Sequence, residues 1–243
     1  MERIDNLMHT GLNIIQDDKY FSFGIDAVLL SMFVRLKRGD KVVDFGTGVG
    51  VIPLMLSTRQ THLKIKALEI QPEVAALALR NVELNNLSQT IDIVNEDLKN
   101  SVLLYGHEKF DVVVSNPPYM PLGVGDISPQ NSYAIARHEV HCTLSDVVKA
   151  SKAVVKYGGK VNFVYKSSRL VELITMLREH KLEPKRLQLV QSRQNSESHI
   201  FLVEAVKGAK SGIKILPTLV IYDDGENYTD QMKKLCFSED KNE

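Results

Sequence analysis

The chain has 243 residues, 44% of them hydrophobic and 25% charged, with 30 basic residues against 30 acidic ones. That is the make-up of an ordinary globular protein, large enough to bury a full core without disulfide or metal staples, and the even charge argues against a general nucleic-acid binder. Two cysteines, Cys142 and Cys236, lack CxxC spacing and suggest neither a disulfide framework nor a zinc site, so a reducing cytoplasm is the expected setting.

The first residues, MERIDNLMHTGLNIIQDD, are too polar for a signal peptide, and no apolar run reaches membrane-spanning length. Residues 1–40 form an extension that contains Tyr20-Phe21-Ser22-Phe23-Gly24 and an apolar helix over Ile25–Val34. From 41 to 208 strand-like and helix-like runs alternate. Lys41–Phe45 is a short apolar strand ending in a glycine-rich turn, and Val51–Thr58 begins a helix. Lys64–Ile70 is the second strand. Pro72 suits a first helical turn, and Val74, Leu77, Ala78 and Val82 keep the helical period through Asn85. Ile91–Asn95 and Phe110–Ser115 are the third and fourth strands, the latter almost wholly apolar, as a central parallel strand should be. Thr143–Lys156 reads as a helix closed by Gly158-Gly159, and Lys160–Tyr165 as a fifth strand. Ser168–His180 is a helix that Pro184 ends. Lys185–Val190 and His199–Val206 follow as a predicted antiparallel edge hairpin. Residues 212–243 add a strand (Ile213–Tyr222), a turn and a short helix. The alternation predicts an α/β protein with a mostly parallel seven-stranded sheet covered on both faces, with ligands at the carboxyl ends of its strands.

The candidate site residues all fall at those ends. In Val43-Asp44-Phe45-Gly46-Thr47-Gly48-Val49-Gly50, the glycines permit a sharp turn and close approach of a ligand. Val51 stands where a dinucleotide fingerprint needs glycine, and Asp44 would repel a pyrophosphate; the carboxylate suits a ligand with ammonium and sulfonium charges. Glu69 ends the second strand 25 residues after Asp44, placed to accept from both ribose hydroxyls of an adenosine. After the third strand, Asp97 (with Glu96 second) can accept from an adenine amino group, while the N–H groups around Leu98 reach a ring nitrogen; Asp97 serves equally well as a helix cap, and both roles can be filled at once.

Ser115-Asn116-Pro117-Pro118-Tyr119 carries the most specific chemistry. Two prolines after a buried strand remove two donors and leave carbonyls facing the site. With the Asn116 amide they can grip both hydrogens of a planar amine and draw its nitrogen toward tetrahedral geometry. Tyr119 offers a face for stacking, worth about 1–3 kcal/mol on a nucleobase.

These motifs resemble the class I, Rossmann-like methyltransferases of the amino-methylating, NPPY-bearing group. The resemblance implies S-adenosylmethionine as cofactor and S-adenosylhomocysteine as product. It also implies Asp44, Gly46, Gly48 and Gly50 as the cofactor turn, Glu69 and Asp97 as ribose and adenine ligands, and Asn116, Pro117, Pro118 and Tyr119 as the amine clamp, with Asn116 also at the cofactor. Phe45 departs mildly from a pattern that carries smaller residues there. Phe23–Leu30, Ala136-Arg137-His138-Glu139 and the tail (Leu219–Tyr222, Glu226–Thr229) are similar to the bacterial tRNA1(Val) adenine-N6-methyltransferases, which modify the adenosine 3′ of the anticodon. That implies tRNA as partner and no membrane or obligate protein partner.

Further readings follow from the flanks. Asp26 either caps the Ala27–Val34 helix or bonds the cofactor's amino-acid end, and Phe21 and Phe23 either cover the cofactor or pack in the core. Pro121–Asn131 is long enough for a lid, and Arg137 and His138 either meet phosphate or pair with Glu139. Residues 149–193 hold 11 Lys or Arg against 3 Glu, an excess of +8, fit for an RNA face or for solvated helix surfaces. The remaining alternatives are a release-factor glutamine methyltransferase, weakened by only about 40 residues before the turn; a ribosomal guanine methyltransferase; a DNA adenine methyltransferase, for which a recognition insert is missing; and a non-enzymatic cofactor binder, which an intact NPPY disfavours.

Overall fold

A computed structural model describes residues 1–8, 10–20, 24–117 and 142–237. The strands of the central sheet are β3 (Lys41–Phe45), β4 (Lys64–Glu69), β5 (Ile91–Asn95), β6 (Phe110–Ser115), β7 (Val155–Lys166), β8 (Leu182–Gln191), β9 (Ser198–Lys207), β10 (Lys214–Ile215) and β11 (Leu219–Val220). Their order is β10-β8-β9-β7-β6-β3-β4-β5, with β11 also on β8. Neighbours from β5 to β7 run parallel, and β9 is antiparallel to both β7 and β8. Seven strands therefore form the expected mostly parallel sheet with its antiparallel hairpin. The expected strand over Ile213–Tyr222 divides at Leu216-Pro217-Thr218 into β10 and β11, which enlarge the sheet to nine.

Strand alternation feeds two cores. Val42, Ile65, Val112, Val114 and Leu202 point to the face covered by α1 (Ile25–Phe33), α2 (Val51–Arg59) and α3 (Pro72–Leu84). Val43, Phe45, Val113, Phe163 and Val203 point to the other face, against α4 (Ser101–Tyr105), α5 (Leu144–Val154) and α6 (Leu170–Glu179). A separate two-stranded hairpin, β1 (Glu2–Asn6) and β2 (Asn13–Asp17), precedes α1, and a last helix, α7 (Asp230–Phe237), follows β11. Among the described residues no helix is long and apolar enough to cross a membrane.

Two boundaries differ from expectation for physical reasons. Thr143 caps α5 through a capping box with Asp146, but the helix ends at Val154 and β7 begins at once. Gly158-Gly159 serves a bulge opposite Phe110–Val112 instead of a helix end. Gly158 has φ +75°, and a Cβ on Gly159 would lie 2.8 Å from the Val155 side chain and 3.0 Å from two backbone oxygens. Pro184 lies inside β8 rather than ending a helix; the register shifts between Pro184 and Arg186, where a missing donor is tolerated.

Candidate active site

Parallel pairing brings the four motif-bearing strand ends together. Phe45 is in register with Leu68 and with Ser115, and Glu69 with Asn95. Hydrogen bonds then stitch the ends across the sheet. Gly46 and Thr47 N–H both donate to the Leu68 carbonyl at 2.9 Å. The buried Ser115 hydroxyl donates to the Phe45 carbonyl at 2.8 Å, which sets the start of the Asn116-Pro117 segment beside the glycine turn. Asn95 Nδ2 donates to the Glu69 and Ile70 carbonyls at 2.9 and 3.1 Å, and Glu96 N–H donates to Glu69 O at 3.1 Å. The sequence places Ser115 and Asn95 at their strand ends but shows nothing of these bonds, because a polar residue at a strand end carries no periodic signal.

The glycine turn needs its glycines. Gly46, Gly48 and Gly50 have φ of +74°, +57° and +90°. Nothing lies within 4 Å of a Cβ built on Gly46 or Gly48, so the turn presents bare backbone to open space, whereas Gly50 faces Ala78 on α3. Glu69 is buried and braces the turn: one carboxylate oxygen accepts from Gly48 N–H at 2.9 Å, the other from Gln71 N–H at 3.0 Å. Burial raises its pKa, opposed by those backbone donors. A carboxylate has about four acceptor positions, so capacity remains for a ligand.

Asp44 is different. It has no solvent exposure, and among the described residues neither carboxylate oxygen has a hydrogen-bond partner. Burial pushes its pKa up to about 7; the Thr47 hydroxyl, beside the carboxyl but outside hydrogen-bond geometry, opposes the rise, and the Glu69 charge adds to it. An unpartnered acid is costly in a folded interior. Its place under an open, bare-backbone turn fits a cationic ligand that supplies the missing interaction.

The third acid pair takes up its capping role. Asp97 Oδ1 accepts from Lys99 N–H at 2.9 Å and caps the 3₁₀ turn Leu98–Asn100, with Lys99 Nζ 3.1 Å from the other oxygen. Glu96 Oε1 accepts from Asp97 N–H at 2.9 Å and from the Asn100 amide at 3.0 Å. Those two donors, the Asn100 amide foremost, hold the Glu96 carboxyl below its usual pKa. Leu98 packs partly buried against the second core. Asp26 does not cap α1: Gly24 holds the cap position in extended conformation, and Asp26 lies in the first turn, where the helix N-terminus favours an acid. Phe45 is fully buried and packs in the second core, so its bulk is accommodated.

Residues 21–180 match the methyltransferase small domain family. The chain belongs to that family. A protein from Porphyromonas gingivalis W83 named tRNA1(Val) (adenine(37)-N6)-methyltransferase is 28% identical over 187 residues, 74% of this chain and 72% of its own. One of the same name from Actinobacillus pleuropneumoniae serotype 7 is 25% identical over 223 residues, 91% of each chain. A crystal structure of a predicted O-methyltransferase from Agrobacterium tumefaciens superposes with a TM-score of 0.70 at 21% identity, over 86% of this chain and 94% of that one, and shares the fold. A methyltransferase small domain of this fold takes its methyl group from S-adenosylmethionine, and the unpartnered Asp44, the Thr47 hydroxyl and the open glycine turn fit that cofactor.

Of the residues expected to form an amine clamp, Asn116 and Pro117 follow β6, and Pro118 and Tyr119 lie outside the described residues. So do Phe21, Phe23, the 121–131 loop and Arg137, His138 and Glu139. The basic 149–193 segment spreads over α5, β7, α6 and β8, and much of its charge is used internally. Lys156 pairs with Asp111 at 2.5 Å, Arg169 with Glu172 at 2.6 Å, Arg178 with Glu183 at 3.4 Å and Arg186 with Glu204 at 3.1 Å. Lys160 and Lys185 donate to the Arg35 and Lys210 carbonyls. Lys166, at the end of β7, and exposed Arg193, in the β8–β9 turn, lie at the same sheet edge as the motifs.

Proposed function

We propose that the chain methylates N6 of an adenine in tRNA, the adenosine 3′ of the anticodon; its relatives are named for adenine 37 of tRNA1(Val). The observation that carries the reading is the unpartnered Asp44 beneath an open glycine turn, one strand away from Asn116-Pro117. The names of relatives covering up to 91% of the chain supply the substrate class.

S-adenosylmethionine, when bound, supplies an electrophilic methyl carbon on a sulfonium leaving group. Asp44 and the backbone of Gly46, Gly48 and Gly50 hold its charged end, with Asp26 on the approaching helix. Glu69 takes the ribose hydroxyls; Asp97, Glu96 and Leu98 take the adenine, with Ile70, 39% exposed beside Glu69, offering an apolar face. The Asn116 side-chain carbonyl and the Pro117 backbone carbonyl accept the two amine hydrogens, while Pro118 and Tyr119 complete the grip and the stack. Held so, the nitrogen lone pair points at the methyl carbon, and alignment supplies most of the rate. The extra proton then leaves to water, so no strong base is required. Residues 1–40 cover the cofactor side, residues 212–243 pack on the core, and RNA phosphates meet Lys166, Arg193 and Arg137. The reaction belongs in the cytoplasm, where tRNA is modified.

The test is to incubate the enzyme with labelled cofactor and total tRNA from a strain lacking it, and to analyse the nucleosides by mass spectrometry. N6-methyladenosine in the wild-type reaction, formed about 10²-fold more slowly with Asn116→Ala, is the expected result. Label in protein would favour a glutamine substrate, and N2-methylguanosine a guanine one; either would overturn the adenine reading.

A further inference from the structure

The N-terminal hairpin is held to α3 by side-chain amides that take the place of a neighbouring strand. Asn85 Oδ1 accepts from Asn13 N–H at 2.9 Å, and Asn85 Nδ2 donates to the Asn13 carbonyl at 2.7 Å. One helical turn earlier, Asn81 Oδ1 accepts from Ile15 N–H at 2.6 Å, and Asn81 Nδ2 donates to the Ile15 carbonyl at 3.1 Å. The spacing explains the fit. Residues two apart on a strand are separated by about 6.6–6.8 Å, and residues four apart on a helix by about 6 Å. A primary amide has both an acceptor and donors, so it reproduces the edge of a strand at every second residue of β2.

The two rungs differ in one bond. Asn81 Nδ2 also donates to the Val49 carbonyl at 2.9 Å, inside the glycine turn, whereas the second donor of Asn85 goes to Asn81 O within the helix. Asn81 has no solvent exposure, and its three bonds all go to backbone groups of two distant segments. Val49 sits between Gly48 and Gly50, both at positive φ; its side chain is buried in the first core, and its carbonyl is the point at which Asn81 holds the turn. Glu69 braces the turn at Gly48, and Asn81 braces it at Val49. Because Ile15 stands nearer the start of α3 than Asn13 does, β2 runs toward the edge that carries the strand ends.

We infer that Asn81 is a positioning residue of the cofactor site: through Val49 and Ile15 it makes the shape of the glycine turn and the docking of β2 a single event. Asn85 docks β2 without touching the turn. The inference rests on the glycine turn as the cofactor site and not on the substrate, so its test uses no RNA.

The experiment measures S-adenosylhomocysteine binding by calorimetry in full-length wild type, Asn81→Leu and Asn85→Leu, with hydrogen exchange at Ile15 read with and without that ligand. Asn81→Leu should bind roughly tenfold more weakly, equivalent to about 1.4 kcal/mol, and Asn85→Leu within about twofold of wild type. The ligand should slow exchange at Ile15 in wild type and in Asn85→Leu. If Asn81→Leu does not fold, those two proteins still decide the matter. Equal losses of affinity in the two variants, or no ligand effect at Ile15 in wild type, would overturn the coupling. Wild type that fails to bind the ligand would overturn the cofactor site together with it.

Discussion

Asp44 and Glu204 are both carboxylates with no solvent exposure, on the same side of the sheet, and the fold treats them in opposite ways. Glu204, on β9, is bonded by Arg35 just beyond α1 and by Arg186 on β8, whose guanidinium also lies 4.4 Å from the centroid of the Phe33 ring. Asp44, on β3, has no protein partner among the described residues. The first arrangement holds the N-terminal helix to the sheet. The second leaves a costly group unsatisfied in the free protein, which is the expected signature of a place kept for a ligand. Stability and function are thus separated by whether a buried charge finds its partner inside the chain.

Variants at the two places should separate accordingly. Glu204→Ala leaves two arginines without their acid, one of them largely buried, and should destabilise the fold by about 3 kcal/mol. At about 2–4 °C per kcal/mol for a chain of this size, that is a fall of roughly 6–12 °C in Tm by calorimetry. Cofactor affinity of the folded fraction should be unchanged; a tenfold loss would break the separation. Asn116→Ala should do the reverse, lowering methyl transfer by about 10²-fold through lost alignment while leaving Tm close to wild type. Ser115→Ala removes the bond to the Phe45 carbonyl that sets β6 against the turn. It should cost about 1 kcal/mol in chemical denaturation, with a few-fold loss of turnover beyond that of stability. The smallest effect should come from Lys166→Ala and Arg193→Ala: each should lower the slope of log affinity for tRNA against log salt by about 1, and an unchanged slope would remove these residues from the RNA face.

The parallel core was legible because its signals are periodic or steric. Apolar runs gave β3 to β6 nearly to the residue, and glycines marked the turn after β3. The glycine pair at 158–159 misled because a bulge and a helix end both call for backbone freedom, and only the pairing with β6 distinguishes them. The β1–β2 hairpin was missed because Glu2–Asn6 is mostly exposed and polar and shows no alternation. Asn81 and Asn85 look like ordinary polar helix positions; that they replace a strand depends on contacts 66 and 72 residues away. The acids were found as types, but only the structure shows that Glu69 and Glu96 are already braced while Asp44 is not.

Titration of S-adenosylmethionine binding against pH tests the unpartnered acid most directly. With its pKa raised by burial to about 7, Asp44 keeps its proton below that pH in the free protein. Ionisation of the unfolded chain lowers the stability of the free fold as pH climbs from the ordinary aspartate range, near 4, to about 7, and the loss is constant above that. A bound cation favours the ionised form, so affinity should rise between pH 6 and 8 with one proton released, approaching about a tenfold gain per pH unit at the acid end. Asp44→Asn should bind more weakly with this dependence gone, and should be no less stable than wild type at pH 8. Wild-type affinity that stays flat from pH 6 to 8, or Asp44→Asn that binds as tightly as wild type, would contradict the account.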